Sequence, residues 1–174
     1  MTVYAQRSGS ATKTKVMGTA VAGNESVGGT TRLTQGTTLY AVYSGNADNA
    51  AVTATKTENV YAKVTASIGG YYTTKSGYRL YHHTARLGLS AAVAPVKPGE
   101  CVQFQVQEYV KKAWRAVMTT GCATLDGKSR AGGSVSVSTY ALGVPYRVRA
   151  DFVRGEDTTN LDADSSFVSF MVGK

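Results

Sequence analysis

The sequence predicts an all-β protein made of two successive units, and three observations carry that prediction. Apolar and polar residues alternate with a period of two in segment after segment, as in Val102-Gln103-Phe104-Gln105-Val106-Gln107, the pattern of a half-buried strand. Gly, Ser, Thr, Ala and Val dominate, and no window holds a 3.6-residue period over three turns. Turn signals rich in Gly, Pro, Asn and Asp interrupt the chain about every ten residues.

Taken in order, residues 2–6 read as a strand. Ser8-Gly9-Ser10 is a turn, and residues 13–21 form the returning strand. Gly23-Asn24-Glu25-Ser26 and Val27-Gly28-Gly29 read as loop, residues 30–33 as a short strand. Thr37 to Tyr43 is a strong strand and Ser44 to Asn49 a turn. Residues 51–55 and 59–64 make an interrupted strand. Residues 63–68 and 86–93 follow as strands, the latter stopped by Pro95-Val96-Lys97-Pro98-Gly99. Residues 134–138, 146–152 and 166–172 close the list of expected strands.

Cys101 to Cys122 reads as a hairpin closed at its base. If the turn centres between Lys111 and Lys112, Phe104 faces Thr119, Val106 faces Val117, and Cys101 faces Cys122. The only two cysteines thus fall within disulfide reach, the alternative being two unrelated free thiols. The large core residues expected are Trp114, Phe104, Val106, Val117, Val148, Ala150 and Phe152.

The two halves repeat each other. Lys15-Val16-Met17-Gly18-Thr19 resembles Ala116-Val117-Met118-Thr119-Thr120, and residues 38–49 resemble residues 147–158, which sets Ala41 against Ala150. The expected organisation is a partial unit over residues 1–62, holding later strands only, and a complete disulfide-bearing unit over residues 63–174.

Composition narrows the function. The 174 residues carry 19 Lys/Arg against 11 Asp/Glu, a net charge of +8, of which +6 falls after residue 60. Such a field attracts polyanions, but the charges are not clustered as in a nucleic-acid arm, so no specific nucleic acid is expected. There is no long apolar run and no membrane span is expected. Met1 to Arg7 lacks the apolar stretch of a secretion signal, so the expectation is a signal already removed or a start inside a longer chain. A disulfide points to an oxidising compartment, hence a secreted or cell-surface protein, or a virion surface.

Gly69 to His82, then Pro98-Gly99-Glu100-Cys101-Val102-Gln103-Phe104, then Ala113-Trp114-Arg115, then Gly143 to Ala150, resemble bacterial immunoglobulin-like repeat domains of secreted and surface proteins, especially actinobacterial ones. The resemblance implies tandem immunoglobulin-like β-sandwiches, the first lacking its N-terminal strands. It also implies stalks, adhesive modules or appendages, usually without catalysis.

No residue pattern calls for a cofactor or a metal. His82 and His83 are neighbours on a strand and point to opposite faces. Asp157, Asp162 and Asp164 follow a turn without the spacing of a Ca²⁺ loop. No nucleophile motif or phosphate loop is present, and Gly28-Gly29 and Gly132-Gly133 precede no helical pattern. The candidate ligand or partner surface is Tyr71, Tyr72, Tyr78, Arg79 and Tyr81, where exposed tyrosines beside cations would stack on sugars or touch a protein. The alternative is that alternate tyrosines pack inward and Lys75-Ser76-Gly77 is a hairpin turn.

The expected function is a non-catalytic structural or adhesive module of an extracellular or surface assembly. Its partners would be further copies of itself, joined by strand complementation in a fibre, sheath or virion, or other surface proteins. A binding module for glycans or anionic cell-wall polymers is the alternative.

Overall fold

The structure, a computed structural model, describes residues 1–20 and 28–174; the loop expected at residues 23–27 and the end of the strand expected at residues 13–21 lie outside the described residues. Every described element is a strand, and no helix is long and apolar enough to cross a membrane. The chain divides into two compact units. One comprises Met1–Tyr61 with Asp157–Leu161, the other Ala62–Glu156 with Asp162–Lys174.

The first unit is a single antiparallel sheet. Its strands are β1 (Thr2–Arg7), β2 (Lys13–Gly18), β3 (Thr37–Tyr43) and β4 (Val52–Glu58), in the order β2-β1-β3-β4. Residues 30–33, expected as a strand, are loop, and β4 is continuous where two pieces were expected. The register puts Val3, Ala5, Leu39, Ala41, Ala54 and Met17 on one face and Tyr4, Gln6, Tyr40 and the threonines of β4 on the other. The second face is tied by the Tyr40 hydroxyl donating to Gln6 at 2.7 Å and by Lys13 over the Tyr40 ring at 3.7 Å. No hydrophobic side chain described in this unit is fully buried.

Asp157–Leu161 belongs to the first unit through hydrogen bonds that a pattern along the chain does not display. Gly36 N–H donates to the Thr159 carbonyl at 2.6 Å, and the Asn160 amide donates to the carbonyls of Thr34 and Val60 at 3.0 and 3.2 Å. Asn160 is buried by these contacts, which give its polar group the partners that burial demands.

The second unit stacks two sheets. One holds β5 (Lys63–Gly69), β8 (Arg86–Ala94) and β12 (Arg130–Ser136) in the order β12-β8-β5. The other runs β10-β9-β13-β15-β7-β6, with β6 (Thr73–Lys75), β7 (Tyr78–His82), β9 (Cys101–Val110), β10 (Ala113–Thr119), β13 (Pro145–Val153) and β15 (Val168–Gly173). The short β11 (Ala123–Thr124) and β14 (Ala163–Asp164) add to β9 and β13. β7 runs parallel to β15. Gly132 lies inside β12, where a Cβ would meet the Leu89 carbonyl oxygen at 2.6 Å, so only glycine lets the two backbones approach so closely.

Alternation decides the core. Val102, Phe104 and Val106 of β9, Tyr146, Val148, Ala150 and Phe152 of β13, and Phe170 and Val172 of β15 face Leu87, Leu89, Ala91 and Val93 of β8. Two expected core residues are not in it: Val117 is 45% exposed, and Trp114 lies on the outer face opposite Tyr109.

The hairpin explains both. Lys111 and Lys112 have φ of 53° and 64°, the mirror-image two-residue turn that suits strand twist, and opposed residues follow the expected register from Ala113 to Ala116. Val117 is then a bulge, left without a partner, so Met118 rather than Val117 faces Val106. Val117 therefore leaves the core and Met118 packs on it. Cys101 and Cys122 are bonded, with Cα atoms 5.5 Å apart, but they are not ladder partners: Cys101 pairs with Thr124.

Candidate interaction surface

The tyrosine stretch folds as the hairpin β6–β7 around Ser76 and Gly77, whose φ values of 50° and 81° again form a mirror-image turn. Tyr81 points inward and is fully buried. Its hydroxyl donates to the Gly69 carbonyl at 2.8 Å, its ring meets Phe170 edge-on at 5.8 Å, and burial pushes its pKa up to about 12. Tyr81 is thus a core residue and is not open to a ligand. Tyr78 pairs with Lys75 beside the turn and is half-buried.

Tyr71, Tyr72 and Arg79 stay outside. The Arg79 guanidinium lies 5.5 Å over the ring of Tyr71, and Tyr72 stacks on His82 at 4.1 Å. Exposures of 41% for Tyr71 and 50% for Tyr72 leave each ring partly open. The acids singled out in sequence are dispersed: Asp164 pairs with Arg149, Asp162 accepts from Arg154 N–H, and Asp157 accepts from Thr159.

A denser arrangement sits on the outer face of β10-β9-β13, built by positions that alternation turns away from the core. Arg147 lies over two rings, its guanidinium 4.3 Å from the centre of Trp114 and 3.8 Å from that of Phe167. Its Nε–H donates to Gln107 Oε1 at 2.8 Å, and Gln107 donates onward to Gln105 at 2.7 Å. Tyr109 tilts against Trp114 at 5.1 Å. Next along β13, Arg149 is neutralised by Asp151 at 2.8 Å and Asp164 at 2.6 Å. Arg147 has no carboxylate partner among the described residues. Burial, and then the Arg149 charge, lower its pKa, as expected for a cation short of a counter-charge.

Sequence reasoning passed over this cluster, although its signal was present. Gln103, Gln105 and Gln107 alternate with the core residues of β9, as Arg147, Arg149 and Asp151 do on β13. Only the pairing of Gln107 with Arg147 and Tyr109 with Trp114 joins them into one surface.

Elsewhere, a cavity of about 330 Å³ in the first unit is lined by Ala5, Arg7, Val16, Arg32, Leu33 and Thr37 among others. No family model, curated protein or solved structure matches this chain.

Proposed function

We propose that the protein is a non-catalytic structural or adhesive module of an extracellular or surface assembly, built on the immunoglobulin-like plan, with its first unit open to strand complementation. The sheet pair β12-β8-β5 and β10-β9-β13-β15-β7 supports that plan. So does Tyr146, at the start of β13, whose hydroxyl accepts from Ala141 N–H at 2.8 Å, in the manner of a tyrosine corner. Val148 stands two residues on, where immunoglobulin domains carry a cysteine, and the bond is instead Cys101–Cys122. That bond is consistent with an oxidising, extracellular environment.

The β4 edge carries the assembly role. β4 pairs with β3 over all seven residues without a bulge, contains no Pro or Gly, and has no strand on its far side among the described residues. The opposite edge, β2, is interrupted by a bulge at Val16 and carries Lys13 and Lys15, whereas β4 has no bulge and its one lysine, Lys56, is paired with Glu58 at 2.8 Å. A regular edge without a bulge is a template for another strand. Sedimentation and electron microscopy across a concentration series test this. Concentration-dependent assembly, abolished by placing lysines on the edge with Thr53→Lys and Thr55→Lys, is expected; a monodisperse monomer at every concentration would overturn it.

Binding of glycans or anionic cell-wall polymers is a second reading, favoured by the net charge of +8 and by Arg147, which has no carboxylate partner among the described residues.

A further inference from the structure

We propose that the outer face of β10-β9-β13 binds an acidic polysaccharide, with Arg147 gripping a carboxylate or sulfate while Tyr109 and Trp114 carry the sugar ring. This deepens the binding reading above and does not depend on assembly.

The geometry of Arg147 selects the ligand. Its guanidinium lies over the rings of Trp114 and Phe167 and its Nε–H is used by Gln107, so the donors that remain are its Nη–H groups. Two oxygens of a carboxylate or of a sulfate can meet such a pair of nitrogens with parallel hydrogen bonds. Stacking holds the guanidinium in place before the ligand arrives, which reduces the ordering cost of binding. Charge complementarity is local: Arg149 is satisfied by two carboxylates, whereas Arg147 is satisfied by none among the described residues. The surroundings are amphipathic, with Tyr109 40% exposed and Trp114 and Phe167 partly open. The Gln105 and Gln107 amides beside them suit hydroxyl groups.

The test measures equilibrium binding near physiological salt to polygalacturonate, heparin, dextran and duplex DNA. The wild-type chain is compared with Arg147→Gln, Arg147→Lys, Tyr109→Ala and the charge control Lys128→Gln. Expected are binding to one or both acidic polysaccharides, no binding to dextran, and a loss of about tenfold or more in Arg147→Gln, with Lys128→Gln within about twofold. Arg147→Lys, which keeps the charge but not the fork, should also weaken binding, and Tyr109→Ala repeats the test at an exposed residue should Arg147→Gln melt early. Preference for polygalacturonate assigns a carboxylate, preference for heparin a sulfate. Equal losses in Arg147→Gln and Lys128→Gln, DNA bound as tightly as the polysaccharides, or no binding to either acidic polymer would overturn the proposal. A monomer that binds would refute strand complementation alone, and an assembly that binds nothing would refute this site alone.

Discussion

Val16 and Val117 are each the extra, unpaired residue of a β-bulge at the same step of two hairpins. Val3 faces Met17 and Ala41 in the first unit, and Val106 faces Met118 and Val148 in the second. The register therefore sets Ala41 against Val148, two residues from the match that sequence similarity favoured. The methionine beside each bulge has a different environment: Met118 packs on a core, whereas Met17 lies on a sheet without a buried hydrophobic residue. Met118→Ala should cost about 1–2 kcal/mol and Met17→Ala less than about 1 kcal/mol, measured by urea unfolding.

The same correspondence sets Lys56 and Glu58 where Phe170 and Val172 stand. Phe170 and Val172 are fully buried, while Lys56 and Glu58 form an exposed pair at 2.8 Å. Phe170→Ala should destabilise its unit by about 3–5 kcal/mol, and Lys56→Ala should fall within about 0.5 kcal/mol of wild type by chemical denaturation. A large loss at Lys56 would mean that this face of the first unit is covered.

Both cysteines lie in the second unit, and their bond closes a sequence separation of 21 residues. Loop closure of that size is worth about 3 kcal/mol in the chain-entropy account. Reducing agent should lower the melting temperature reported by Trp114, the single tryptophan, and leave the transition of the first unit unchanged. An unshifted tryptophan transition would deny the bond its stabilising part.

Tyr146 titrates late because burial raises its pKa to about 12, helped by its hydrogen bond to Glu108 at 2.9 Å. A raised folded-state pKa means that the stabilisation is complete below the unfolded value near 10 and is lost as pH rises through about 12. Tyr146→Phe should flatten the fall in stability between those limits, measured by denaturant titrations at increasing pH. An unchanged slope would assign that fall to Tyr81, whose pKa is raised to about 12, or to Tyr140, whose pKa burial also raises.

Much of this was legible from residues alone. Period-two alternation determined the strand class and the inward set Phe104, Val106, Val148, Ala150 and Phe152, because a pleated strand sends successive side chains to opposite faces. The chain also announced the Lys111-Lys112 turn, the pair Cys101 and Cys122, and the kinship of the segments around Val16 and Val117. Tertiary structure alone decided the rest. One bulge at Val117 moved the register by a residue, exchanged Val117 for Met118 at the core, and left the cysteines bonded without being ladder partners. Long-range pairing turned Tyr81 inward, carried Asp157–Leu161 into the first unit, and brought Trp114, Arg147 and Phe167 together. Alternation is local and travels with the chain, whereas a bulge or a neighbouring strand is chosen by packing and hydrogen bonding between segments far apart in sequence.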